Sequence, residues 1–187
     1  MPLRAYINDK EVISIDLSDE QWAELKEKLK RREFTLKLPC CKQNGYLKIS
    51  RGIKHFAHEK SCAYCEWQSE SPALLKTRAE IIEACRKNRW KYIPEYHEND
   101  WQTDVIAIKN NHRIAFETSW KPVSLVQIKN KQETLQKSGV HGCWFLRTPP
   151  KDLRNYGDAV KADKEIPAFK ISENDESRIT AYLQNAH

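Results

Sequence analysis

Glycine is scarce in this sequence, with five residues among 187. No glycine-rich phosphate loop is present, which argues against a nucleotide cradle of that kind. No apolar run approaches the roughly 18 residues a membrane span needs, and Met1–Leu17 has no apolar signal segment. Membrane residence and secretion are therefore not expected, and the chain is placed in the cytoplasm. Strong charge of one sign is missing too. Lys and Arg total 32 against 26 Asp and Glu, a net of +6, which permits a phosphate-bearing partner without requiring one. There is no internal repeat and no low-complexity segment. Aromatic residues are plentiful (six Trp, seven Tyr and five Phe), which argues for a packed core rather than disorder.

Six cysteines are present, and four of them, Cys40, Cys41, Cys62 and Cys65, share one short stretch with His55 and His58. Without an export signal, a metal cluster is a stronger reading than a disulfide framework. Cys40, Cys41, His58, Cys62 and Cys65 offer more ligands than one tetrahedral Zn²⁺ requires, and Cys62-x-x-Cys65 has knuckle spacing. Neighbouring residues on a strand point to opposite sides. Either a tight turn after Pro39 lets both Cys40 and Cys41 reach one metal, or only Cys41 binds. A cluster of reduced thiols is the plainer alternative. His55 is expected beside the metal group or at the surface, and Cys85 on an apolar helix stripe.

Local patterns predict the element order. Arg4–Ile15 alternates around Asn8-Asp9 as a hairpin. Ser18 opens a helix through a capping box completed by Gln21. Phe34–Ser50 reads as strand, Cys-Cys knuckle, turn at Asn44-Gly45, and strand. Ser71–Asn88 is an amphipathic helix. Three strands follow, at Trp90–Tyr96, Thr103–Lys109 and Arg113–Ser119, then a helix over Ser124–Ser138 and a strand at Cys143–Arg147. This order predicts an α/β sandwich with a mixed sheet. Beyond Thr148-Pro149-Pro150 the chain is polar, and Ser172–Gln184 is expected to form a last helix.

The most informative stretch is Trp101–Trp120. If Asn110-Asn111 form a two-residue turn, Lys109 faces His112, Ile106 faces Ala115, Val105 faces Phe116 and Asp104 faces Glu117. Opposed residues share a face with Cβ atoms about 5 Å apart, so two carboxylates there repel unless a cation lies between them. Mg²⁺ or Mn²⁺ suits such oxygens. Ser119 falls on the same face by the period of two. The alternative is a solvated hairpin edge.

From Leu38 to Arg147 the sequence resembles the competence protein CoiA-like family. The blocks that carry the resemblance are Pro39-Cys40-Cys41, His55-Phe56-Ala57-His58, Cys65…Glu70, Asp104-Val105, Phe116-Glu117-Thr118-Ser119-Trp120 and Ser138-Gly139-Val140-His141-Gly142-Cys143-Trp144. The resemblance implies a restriction-endonuclease-like αβββαβ core of the PD-(D/E)XK nuclease superfamily. It also implies a small, β-rich, N-terminal zinc-binding module. The expected division is 1–66 for the module, 67–150 for the core and 151–187 for a tail that serves docking or oligomerisation.

On that resemblance the substrate is DNA, single- or double-stranded, with a larger protein partner or a homodimer as further assembly. Asp104 and Glu117 hold a catalytic Mg²⁺ or Mn²⁺, Glu70 comes from the first core helix, and Glu95 is a further candidate on the first core strand. The chain departs from the family at three places. Ser119 replaces a glutamine that stands where related nucleases carry lysine, Leu74 replaces a histidine, and Arg78 replaces a lysine. Lys121 or Gln132 is expected to supply the missing group. The competing reading is a catalytically inert relative that binds DNA or a protein. Of the tryptophans, Trp22, Trp90 and Trp144 are expected in the core, while Trp67, Trp101 and Trp120 are candidates for base stacking.

Overall fold

The computed structural model describes residues 2–59, 71–148, 167–173 and 179–183. It forms two compact units, Met1–Leu75 and Lys76–His187. No helix among the described residues is long and apolar enough to cross a membrane.

The first unit begins with a hairpin of β1 (Arg4–Ile7) and β2 (Lys10–Ile13). Asn8 and Asp9 both take positive φ (47° and 62°), the backbone a two-residue turn needs. Helix α1 (Asp19–Lys30) starts at Ser18, and both halves of the Ser18–Gln21 capping box are made. Strand β3 (Leu36–Lys37) pairs with β1, giving the order β2-β1-β3. A second hairpin joins β4 (Gly45–Ser50) to β5 (Ile53–His58). The turn expected at Asn44-Gly45 lies just before it: Asn44 already bridges to Lys37 and Gly45 pairs with His58, so the chain reverses between Leu38 and Gln43. The β4–β5 turn is at Arg51-Gly52, both with positive φ. Trp22, Leu36, Leu38, Leu47 and Phe56 close the core, with the Trp22 and Phe56 rings 5.5 Å apart.

From Pro72 onward the expected αβββαβ order is the one observed. It runs α2 (Pro72–Lys87), β6 (Lys91–Glu98), β7 (Trp101–Lys109), β8 (His112–Ser119), α3 (Leu125–Lys137) and β9 (His141–Leu146). Strands β6, β7 and β8 form an antiparallel meander, and β9 returns parallel to β8 after α3. Ser124 and Gln127 cap α3. Ile128 and Leu135 of α3 are buried, as are Ile106 and Ala115 of the sheet. A Cβ on Gly142 of β9 would stand 2.2 Å from Oε1 of the buried Gln132 of α3, so that side chain would have to move.

The helix expected over Ser172–Gln184 does not form. That stretch contributes to β10 (Ala168–Glu173) and β11 (Ile179–Leu183) instead, and the sheet runs β11-β10-β9-β8-β7-β6. The edge of β9 offers unpaired backbone groups that β10 takes up in parallel register, and Phe169 stacks on Phe145 with centroids 5.3 Å apart. This tertiary pairing outweighs the local capping signal at Ser172. Trp22 and Trp144 are buried as expected and Trp90 is half-buried. Trp101 is not a stacking surface: it is 5% exposed, and its Nε1 donates to Ser138 Oγ at 3.0 Å. Trp67 lies outside the described residues.

Candidate functional site

Asn110, with φ 53°, turns the β7–β8 hairpin. The pairs Lys109–His112, Ile106–Ala115 and Val105–Phe116 then form in the expected register. The ladder stops there, one step before Asp104 and Glu117. On the other side Pro94 pairs with Val105 and Tyr96 with Thr103, which places Glu95 opposite Asp104 without a ladder pair. Within β7, Asp104 alone has no partner in either ladder.

Glu95 explains the gap on one side. Its φ is 45°, a left-handed conformation that costs a non-glycine residue about 1–3 kcal/mol. It follows Pro94, which has no N–H to offer a ladder. Glu95 is 1% exposed, so a third acid is buried on the strand beside β7, although the Glu95, Asp104 and Glu117 carboxylates do not all converge on one point.

On the β8 side the Asp104 carboxylate stands in for backbone. Its Oδ2 accepts from Thr118 N at 2.6 Å and from Thr118 Oγ1 at 2.7 Å. Its Oδ1 accepts from Nη2 of the buried Arg78 of α2, and Asp104 itself is largely shielded from solvent. The Arg78 position, read from the sequence as a departure from the family's lysine, therefore anchors one of the two key acids.

Glu117 is held differently. Lys131 of α3 places its Nζ 2.7 Å from Oε2, while Oε1 is buried with no hydrogen bond of its own. Burial pushes the Glu117 carboxyl up to about 7, the nearby Asp104 charge adds to this, and Lys131 opposes it. A buried carboxylate oxygen without a donor is costly unless a cation completes it. The donor chemistry here, two carboxylates with one unsatisfied oxygen, fits a hard divalent ion such as Mg²⁺ or Mn²⁺.

The expected substitutes for the missing lysine lie elsewhere. Ser119 Oγ donates to the Lys121 carbonyl at 2.7 Å, and Lys121 itself is exposed on the loop after β8 and touches neither acid. Gln132 is buried and accepts from Trp144 Nε1 at 3.2 Å, a packing role. Lys131 escaped the sequence reading, yet a signal for it existed. Ile128, Lys131, Gln132 and Leu135 follow one helical stripe, so a lysine sits at a position that faces the sheet. Glu70 lies outside the described residues.

In the first unit, Cys40, Cys41 and His58 converge. Leu38 and Gln43 close a loop through a 3.0 Å backbone bond, and Lys42 adopts φ 58°. This tight turn after Pro39 lets adjacent cysteines reach one point. The Cys40 and Cys41 sulfurs are 3.8 Å apart, and they lie 3.6 and 3.3 Å from His58 Nε2. Tetrahedral zinc bonds of roughly 2.3 Å to sulfur and 2.0 Å to nitrogen require ligand separations of about 3.8 and 3.6 Å. The three atoms thus form a group that could hold a metal ion. Burial lowers the His58 pKa, which keeps the imidazole neutral for ligation. His55 is fully buried rather than at the surface, with Nδ1 3.1 Å from the Ile53 carbonyl. Cys62 and Cys65 lie outside the described residues.

No family model matches the chain. No curated protein matches it either. Among solved structures, it is similar to a crystal structure of a protein of unknown function, at 12% identity with a TM-score of 0.39, covering 51% of this chain. The chain spans 56% of that protein's length. A second similar structure is SfsA of Pyrococcus furiosus in complex with Ca²⁺, at 10% identity and a TM-score of 0.38, covering 81% of this chain and 84% of that one.

Proposed function

We propose that this chain is a cytoplasmic, divalent-metal-dependent nuclease of the CoiA-like kind that hydrolyses DNA phosphodiester bonds. The observation that carries the reading is the unsatisfied Glu117 Oε1 beside Asp104, on adjacent strands of an αβββαβ core. Asp104 and Glu117 would hold the metal, with Glu95 next to them on β6. A bound Mg²⁺ or Mn²⁺ supplies Lewis acidity toward the scissile phosphate and lowers the pKa of the attacking water. The chain's own residues preorganise the site. Arg78 and Thr118 fix Asp104, so its carboxylate is oriented before substrate arrives. Lys131 supplies the positive charge that β8 lacks at Ser119.

The first unit, on this proposal, is a structural zinc module. Cys40, Cys41 and His58 are three ligands, and Cys62 or Cys65 is the fourth. A fold of this size has a small core, which a metal staple reinforces.

One observation favours the second reading, an inert relative that binds DNA or a protein partner. The Ser119 hydroxyl is taken by the Lys121 carbonyl and is not directed at substrate. Incubation of plasmid and single-stranded DNA with Mn²⁺ or Mg²⁺ separates the two. Cleavage by the wild type, lost in both Asp104→Ala and Glu117→Ala, supports the nuclease. Cleavage that persists in both variants sinks the site, and DNA binding without cleavage supports the inert reading.

A further inference from the structure

We infer that Lys131 is the mobile cation of the acid pair: it neutralises Glu117 in the metal-free chain and passes to a phosphate oxygen of the substrate when a divalent metal takes its place. The inference rests on the metal-dependent reading above and adds to it the residue that replaces the missing β8 cation.

The two cations of the site differ in how they are held. Arg78 is interior, with 4% of its side chain exposed, and its Nη2 donates to Asp104 Oδ1. The Lys131 side chain is 30% exposed and meets Glu117 through a single contact at Oε2. Its ammonium sits on a flexible four-carbon stem, so it can leave Glu117 for solvent or for a ligand without breaking packed core. Arg78 has no such exit.

Charge gives the direction of the move. Asp104 and Glu117 are each paired with a resident cation, Arg78 and Lys131, and Glu95 is a further buried acid on the neighbouring strand. A divalent ion added while both cations stay in place leaves an excess of positive charge in a poorly solvated place. Displacing Lys131 toward solvent lowers that excess, and a phosphodiester then attracts both the metal and the freed ammonium. The site thus exchanges a resident cation for a metal and reuses the resident one. Ser119 does not compete for this role, because its hydroxyl is bonded to the Lys121 carbonyl, and Lys121 itself is exposed on the loop after β8.

The test is calorimetric titration of Mn²⁺ into zinc-loaded full-length protein, comparing wild type with Lys131→Gln, Lys131→Arg and Asp104→Ala. Lys131→Gln should bind Mn²⁺ about tenfold more tightly than wild type, because no cation has to be displaced. Lys131→Arg keeps the charge and should bind as weakly as wild type, which guards against a folding defect in the glutamine variant. Mn²⁺ affinity in Lys131→Gln equal to or below that of wild type overturns the exchange. Asp104→Ala titrating like wild type overturns the metal reading itself, and the inference with it. In cleavage, Lys131→Gln should lose about 100-fold in kcat with KM nearly unchanged. An unaltered kcat overturns the transfer to phosphate and leaves the metal reading intact.

Discussion

Arg78 and Asp104 form an ion pair whose side chains are only 4% and 13% exposed, and it ties helix α2 to the centre of strand β7. Removing one member of a buried pair leaves the other charge uncompensated, at a cost of about 3–5 kcal/mol. Arg78→Met should therefore destabilise the second unit by that order in urea unfolding, although Asp104 keeps its bonds to Thr118. Replacing both members, as Arg78→Met with Asp104→Leu, should recover much of the loss while abolishing any cleavage. A double variant no more stable than Arg78→Met would show that the pair is not the source of the effect.

Glu117 should matter to chemistry far more than to folding, while Asp104 matters to both because its loss strands the buried Arg78 charge. Asp104→Asn and Glu117→Gln remove a metal-ligand charge with almost no change in volume. A metal's charge stabilisation of several kcal/mol corresponds to a drop in kcat on the order of 10³-fold. Both variants should keep the far-UV circular dichroism of the wild type. Retention of full activity by either would remove that residue from the proposed site.

The first unit should depend on its metal. Elemental analysis is expected to find about one zinc per chain, and Cys40→Ser, Cys41→Ser and His58→Asn should each lose most of it. A ligand present at a thousand times its Kd adds about 4 kcal/mol, so stripping it should lower the unit's Tm by on the order of 20 °C. Well under one zinc per chain in freshly purified protein would count against the assignment. Loss of zinc from Cys41→Ser but not from Cys40→Ser would restrict the ligand set to the second cysteine.

How much of this was legible beforehand follows the range of the interactions. The β7–β8 register was readable because turn and alternation are local: Asn110-Asn111 and the opposed pairs from Lys109–His112 to Val105–Phe116 lie within one hairpin. The α1 and α3 starts were readable for the same reason, since Ser18 and Ser124 each cap the helix that follows. What failed depended on partners distant in sequence. The Asp104 ladder gap arises beside the left-handed Glu95 on another strand, and alternation within β7 cannot reveal it. Lys131 becomes a site residue only because α3 packs on the sheet at Glu117. The C-terminal stretch reads as a helix start at Ser172, but β10 pairs with β9, more than twenty residues earlier. The Cys40-Cys41 turn is not legible in the sequence because it depends on a positive φ at Lys42, a residue with no glycine-like signature.

His55 provides a pH test of the first unit that does not involve the proposed ligands. It is fully buried, and burial lowers its pKa below the ordinary 6.5, with the Ile53 carbonyl opposing only in part. A histidine whose folded pKa is depressed takes up its proton more readily in the unfolded chain. The associated stability is thus complete above pH 6.5 and is lost as pH falls through the lowered value. One such group gives a slope of at most about 1.4 kcal/mol per pH unit. His55→Gln removes the titration and keeps a polar side chain of similar reach. Urea unfolding between pH 8 and pH 5 should therefore show a shallower acid decline in His55→Gln than in the wild type. His58 titrates in both proteins and cancels in the difference. Parallel declines would mean that His55 is protonated without penalty, which its burial argues against.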